Sequence, residues 1–131
     1  RECLKHEIRI IPIPGVSAIT AAMSASGLPS DSFTFHGFLP QKKGRLKKIQ
    51  DLSHLDNTII LFESPYRLIK TLTQLLESLG DRSVVVGREL TKLYEEIIRG
   101  NLSEVLEYFS KSKVKGEIVI MIGKKDDRIH F

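Results

Sequence analysis

The sequence has little of what marks secreted, membrane or metal-binding proteins. It contains one cysteine, Cys3, which cannot form an internal disulfide and so predicts a reducing, cytoplasmic setting. No apolar run approaches the roughly 20 residues of a membrane span, and the opening residues 1–7 are too charged for a secretory signal. The four histidines are scattered, and no His, Cys and carboxylate cluster has metal-ligand spacing. We therefore expect neither a membrane anchor nor a metal site.

What is present suits one globular domain with a basic surface. The chain has 131 residues, 41% of them hydrophobic and 27% charged, which is enough for one packed core. The net charge of +4 favours a polyanionic partner without establishing one. A basic segment, Gln41 to Lys48, contains five cations and no acid: Lys42, Lys43, Arg45, Lys47 and Lys48. It is either a phosphate-binding surface or the solvated start of a helix.

Hydrophobic periodicity predicts an α/β domain with a mixed, mostly five-stranded sheet flanked by helices. The predicted strands are Arg9–Ile13, Asp31–Phe38, Thr58–Phe62, Arg82–Gly87, Tyr94–Arg99 and Glu117–Ile122. The predicted helices are Val16–Ser26, Gly44–Leu52, Tyr66–Leu79 and Leu102–Tyr108, with a polar tail from Lys124 to Phe131. Ser17 and Asn101 are expected N-caps, and Gly27 ends its helix. Leu46, Ile49 and Leu52 are expected on one face of the Gly44–Leu52 helix.

Three polar clusters follow predicted strands, where open α/β sheets hold their ligands. They span residues 14–18, 63–67 and 88–92. The first opens a helix and offers backbone N–H groups to an anion. Each cluster also has an ordinary structural interpretation: the first as a Pro-Gly turn, the second as a Ser-Pro helix start and the third as a surface ion-pair network. Because all three clusters lie at strand ends, together they indicate a ligand site more strongly than any one of them does alone.

Several motifs occur in an order that identifies a family. They are Ile10–Ala18 (IIPIPGVSA), Ala25–Asp31 (ASGLPSD), Gly37–Pro40 (GFLP), Phe62–Arg67 (FESPYR), Gly87–Lys92 (GRELTK) and Lys115–Val119 (KGEIV). The series resembles the tetrapyrrole (corrin/porphyrin) methylase superfamily, the class III methyltransferases. Within it, the series is most similar to the branch that modifies small-subunit ribosomal RNA.

This resemblance implies a two-domain enzyme that binds S-adenosyl-L-methionine between its domains, with residues 1–131 as the carboxy-terminal domain. The Gly-rich strand and acidic Gly-rich loop of the family's first domain are not in this sequence, so we expect the piece alone to be inactive. Matching the family's motifs implies cofactor contacts at Pro14, Gly15, Ser17, Ala18, Glu63 and Leu90. Gly116 to Ile118 is expected to border the adenine. The family usually has an apolar residue where Glu63 stands, which weakens that assignment.

The implied reaction is methylation of the ribose 2′-hydroxyl of a cytidine in small-subunit ribosomal RNA. Glu63 or Glu89 is the hypothetical catalytic base or proton-orienting group. The expected RNA-binding residues are Lys42, Lys43, Arg45, Arg67, Arg88 and Lys92. The implied partners are the RNA or the 30S subunit and, in a homodimer, a second copy. The alternatives are a methylase domain for a tetrapyrrole or another small molecule, and a non-catalytic RNA-binding or dimerisation module.

Overall fold

Helices and strands alternate along most of the chain in a computed structural model that describes residues 1–125 and 129. Within this part the helices are α1 (Glu2–Lys5), α2 (Ala18–Ser26), α3 (Arg45–Ser53), α4 (Leu68–Leu79) and α5 (Leu102–Ser110). The strands are β1 (Phe33–Phe38), β2 (Thr58–Glu63), β3 (Ser83–Arg88), β4 (Glu96–Asn101) and β5 (Ile118–Ile122). The predicted polar tail lies outside the described residues beyond Lys125, apart from Ile129.

The five strands form one mixed sheet in the order β1-β2-β5-β3-β4. β1 and β2 run parallel, whereas β5 runs antiparallel to both β2 and β3, and β4 antiparallel to β3. β5 is therefore central, and all five of its residues are buried, as expected for a strand covered on both faces. The predicted mixed five-stranded sheet is confirmed.

The two faces of the sheet are covered unequally. Helices α3, α4 and α5 cover one face with a large apolar core that includes Ile49, Leu72 and Val105. Of the described helices, α2 alone covers the other face, where Ala22 and Met23 pack with residues of β2, β3 and β5. The α2 face is therefore partly open, and the Phe side chains of β1 remain 43% to 60% exposed there.

Helix ends follow the predicted capping residues. Ser17 stands at the N-cap of α2 in an extended conformation, and Gly27 ends it in the left-handed region at φ 78°, which glycine adopts without strain. Asn101 and Glu104 form a reciprocal capping box at α5. No described helix is long and apolar enough to cross a membrane.

Two predictions about the fold are wrong. The Arg9–Ile13 segment is not a strand but an exposed stretch without regular structure. Prolines 12 and 14 lack the N–H groups that a sheet ladder needs, and no described strand pairs with this segment. Leu46 is 62% exposed and does not share the buried face of Ile49 and Leu52, because Arg45 takes the inward position at the start of α3.

Candidate functional site

Four loop segments that sequence reasoning singled out meet at one end of the sheet. They line two adjoining cavities of about 460 and 450 Å³, both bordered by Ala18 and Glu117. The first also contacts Glu63 to Pro65 and Gly116 to Val119, and the second contacts Ser17 and Leu90 to Lys92. We call this continuous groove the trough. Pro14 and Gly15 are exposed and line neither cavity.

The wall of the trough is mostly apolar. Phe38 and Phe62 line the first cavity with Ile118 and Val119. The rings of Phe38 and Phe62 meet edge to face with centroids 5.8 Å apart, a favourable arrangement for aromatic pairs. An apolar groove with a few polar groups is the usual form of a small-molecule site.

A buried charged network supports the floor of the trough at the end of β2. The Glu63 side chain is fully covered, and its Oε1 lies 2.8 Å from Arg67 Nη2. Ser64 N–H donates to the same oxygen at 2.7 Å. Thr71 hydroxyl donates to Oε2 at 2.6 Å and accepts from Arg45 Nη2 at 2.6 Å. Arg45 Nη2 itself lies 3.7 Å from Glu63 Oε2, so one carboxylate faces two guanidinium groups.

Arg45 also fixes two neighbouring elements. Its Nε donates to Gln74 Oε1 in α4 at 2.8 Å, and its Nη1 donates to the carbonyl of Pro40 at 3.1 Å. Arg45 is only 4% exposed. This burial contradicts the prediction that Arg45 contacts RNA, because its guanidinium is enclosed by α4 and the Pro40 loop and does not reach the surface.

The loop after β3 is held in an unusual backbone conformation. Glu89 and Thr91 have φ values of 51° and 65°, and neither is glycine. Such values are costly for a β-branched residue and persist only where surrounding contacts hold them. Glu117 N–H donates to Glu89 Oε1 at 2.7 Å, and Glu89 N–H donates to the Glu117 carbonyl at 2.9 Å. Lys92 bridges the carboxylates of Glu89 and Glu117 at 3.1 and 3.0 Å.

These contacts lower the pKa of Glu89. The main cause is the hydrogen bond from the Glu117 backbone N–H, followed by the hydrogen bond from Lys92. The carboxylates of Glu117 and Glu89 raise the pKa of Lys92, because both accept a hydrogen bond from its ammonium group. The bond to Glu117 makes the larger contribution. Glu89 and Lys92 therefore stay charged near neutral pH. Their hydrogen bonds stabilise the conformation of the loop after β3.

Gly116 makes the close approach of these two loops possible. Its φ is +95°, and a Cβ there would collide with the Glu89 side chain. We expect Gly116→Ala to lower the free energy of unfolding by about 1–3 kcal/mol, because alanine resists this φ and would displace Glu89. Urea unfolding measures the loss. Gly15→Ala is the matched control, since a Cβ at Gly15 meets nothing within 4 Å, and an equal loss in both variants would contradict the explanation.

The predicted RNA-binding cations divide into free and engaged groups. Lys42 and Lys43 are exposed between β1 and α3, and none of the described residues forms an ion pair with either. Arg67 is partly exposed while it pairs with Glu63. Arg88 pairs with Glu96 at 2.8 Å. Among the described residues no group of three His, Cys, Asp or Glu could hold a metal ion.

Sequence reasoning missed part of the trough. Phe38 and Phe62 line it, although the sequence analysis predicts no ligand contact for either. Their positions at the ends of β1 and β2 were the available signal, because ligands bind at strand ends in such sheets.

The fold and the trough define an α/β domain with a mostly apolar groove at one end of a mixed sheet. The chain belongs to the family of tetrapyrrole (corrin/porphyrin) methylases, which matches residues 1–106. A protein named ribosomal RNA small subunit methyltransferase I from Thermotoga maritima is 42% identical over 95% of this chain and 56% of its own length. One of the same name from Mesorhizobium japonicum is 47% identical over 93% of this chain and 42% of its own length.

A solved structure shows the same fold. Uroporphyrin-III C-methyl transferase from Thermus thermophilus, complexed with S-adenosylhomocysteine, superposes with a TM-score of 0.58 at 19% identity. The match covers 92% of this chain and 55% of that chain. The chain thus spans about half the length of the relatives it matches.

Proposed function

We propose that the full-length protein transfers a methyl group from S-adenosylmethionine to small-subunit ribosomal RNA, with this chain as the second of two domains. The trough carries the proposal, because it gathers residues from four separated loops into one groove. Relatives that are 42% and 47% identical carry the name ribosomal RNA small subunit methyltransferase I, and this supports the choice of substrate.

The trough fits the cofactor in size and chemistry. Its cavities of about 460 and 450 Å³ lie within the usual range for ligand sites, roughly 300–1,000 Å³. Ser17 and Ala18 at the start of α2, Leu90 after β3 and Gly116 to Ile118 would hold it. When bound, it supplies an electrophilic methyl group on a good leaving group. The chain's task is then to place the acceptor oxygen in line and to exclude water.

The finer proposal is that the acceptor is the 2′-hydroxyl of a cytidine. Glu63 supports this reaction as a positioning residue rather than as the base, since four hydrogen-bonding or charged partners occupy its covered carboxylate. Glu89 has a lowered pKa and therefore accepts a proton poorly. The contacts of both glutamates therefore favour a structural role over that of a base.

The exposed lysines of the basic segment support RNA as the substrate. Lys42 follows Phe38 of the trough by four residues, so the Cα atoms of the two residues lie within about 14 Å of each other. Lys42, Lys43 and Lys47 are exposed, and cations on one surface attract the RNA backbone by releasing counterions. A 30S subunit as the natural substrate and a homodimer as the active form belong to the same proposal.

Alkaline digestion after labelling tests the ribose assignment. The full-length protein is incubated with methyl-labelled S-adenosylmethionine and small-subunit RNA, and the RNA is then hydrolysed with alkali. Because cleavage requires a free 2′-hydroxyl, we expect the label in an alkali-stable dinucleotide. Label in single nucleotides would place the methyl on a base instead. Salt-dependent RNA binding without cofactor binding would favour a non-catalytic module.

A further inference from the structure

A third, smaller cavity lies beside the start of β5 and shares no lining residue with the two cavities of the trough. It has a volume of about 200 Å³, and its lining includes Arg88 of β3, Glu96 of β4, Tyr108 and Phe109 of α5, and Lys113 and Lys115 of the α5–β5 loop. We call it the lysine pocket. Its size is below the range of about 300–1,000 Å³ for sites that enclose a whole small molecule.

The lysine pocket carries an excess of positive charge. Arg88 donates from Nε to Glu96 at 2.8 Å and from Nη1 to the Lys115 carbonyl at 3.3 Å. Tyr108 hydroxyl donates to the other oxygen of Glu96 at 2.6 Å. Glu96 is therefore fully engaged and balances Arg88.

The lysines of the α5–β5 loop differ in their partners. Lys111 pairs with Glu107 at 2.9 Å. Lys113 and Lys115 are exposed, and no described carboxylate lies within ion-pair distance of either. Their two charges are free to meet an anion, which distinguishes them from the other cations around this cavity.

The position of the lysine pocket relates it to the trough. Arg88 pairs with Ile118 across the β3–β5 ladder, and Ile118 also lines the trough. The loop that carries Lys113 and Lys115 continues directly into Gly116 and Glu117, which form the trough wall. The lysine pocket and the trough are therefore neighbours along the chain, because Lys115 of the pocket directly precedes Gly116 of the trough.

We propose that the lysine pocket binds a backbone phosphate of the RNA strand, next to the nucleotide that is held in the trough. The inference rests on the proposed function and adds a contact that the basic segment at Lys42 and Lys43 does not supply. A compact ammonium group recognises phosphate as a point charge. The small volume accommodates a phosphate and the edge of its ribose against the edge-to-face rings of Tyr108 and Phe109, whose centroids are 5.2 Å apart.

The test measures RNA affinity against salt concentration for the full-length protein and for Lys113→Gln/Lys115→Gln. RNA with the small-subunit sequence is the probe. Losing one or two phosphate contacts should reduce the slope of log K against log salt by about 1–2 and weaken binding about three- to tenfold at low salt. Affinity for S-adenosylhomocysteine should not change, because neither lysine lines the trough.

The control variant is Lys70→Gln/Lys111→Gln, which removes the same net charge from two lysines that do not line the lysine pocket. Lys70 is exposed on α4, and Lys111 shares the loop but faces Glu107. A double variant whose salt slope equals that of the wild type would overturn the proposal, and so would an equal loss in the control. If the wild-type protein binds S-adenosylhomocysteine but no RNA, the proposed function is wrong, and so is the phosphate-binding role of the lysine pocket. Thermal unfolding of each variant verifies that all are folded.

Discussion

Replacing Glu63 with alanine is expected to lower the free energy of unfolding of the chain by about 3–5 kcal/mol. Arg45 is 4% exposed, and the Glu63 carboxylate is the described acid that balances it. Without that acid, a buried guanidinium loses its counter-charge and Thr71 loses its acceptor. Breaking a buried pair in this way is far more costly than losing a surface ion pair.

Two further variants separate charge from packing. Glu63→Gln keeps the shape and one hydrogen-bond acceptor, and we expect a smaller loss of about 1–3 kcal/mol. Glu77→Ala is the matched control on α4, since Glu77 is exposed and should change stability by less than about 0.5 kcal/mol. Urea unfolding followed by circular dichroism measures all three. A Glu63→Ala variant as stable as Glu77→Ala would contradict the account of the network.

Ala18→Trp is expected to weaken binding of S-adenosylhomocysteine at least about 100-fold, equivalent to about 2.7 kcal/mol. Ala18 borders both cavities, so an indole there occupies the point where they join. Ala18 is exposed at the start of α2, and a large side chain at this position projects into the trough rather than into the core. Calorimetric titration of the full-length protein measures the affinity.

The control for this variant is Ser30→Trp. Ser30 is exposed in the loop after α2 and lines neither cavity of the trough, so it receives the same bulk without obstructing the ligand. We expect its affinity to equal that of the wild type. Unchanged binding by Ala18→Trp would show that the cofactor lies elsewhere.

Much of the sheet and of the trough follows from local sequence patterns. The apolar run Thr58–Phe62 predicted a buried strand, and β2 is one. Asn101 predicted the start of α5, and its capping box is present. Ser17, Ala18, Glu63, Leu90 and Gly116 were expected around one ligand, and they do line one trough, although their contact with a cofactor remains a prediction.

The parts that could not be predicted depend on contacts between distant residues. Arg45 reads as one more cation of a basic segment, yet its partners Thr71 and Gln74 lie 26 and 29 residues away. The Arg9–Ile13 segment has the apolar content of a strand, but a strand also needs a neighbour with which to pair. Local pattern determines whether a segment can form an element, and the tertiary contacts decide whether it does.

Glu63 shows how the same residue can suggest two kinds of chemistry. A glutamate at a strand end beside a ligand groove resembles a general base in sequence. In the structure its carboxylate is covered and shared between Arg45 and Arg67, so it fixes the floor of the groove. Its effect on the reaction should therefore act through the geometry of the trough.

The most direct test of the central claim is a substrate competition. The full-length protein receives methyl-labelled S-adenosylmethionine together with small-subunit ribosomal RNA and uroporphyrinogen in one reaction. The account predicts that the label enters the RNA of the wild-type reaction and is lost with Ala18→Trp. Label in the tetrapyrrole, or in neither acceptor while the cofactor is bound, would contradict it.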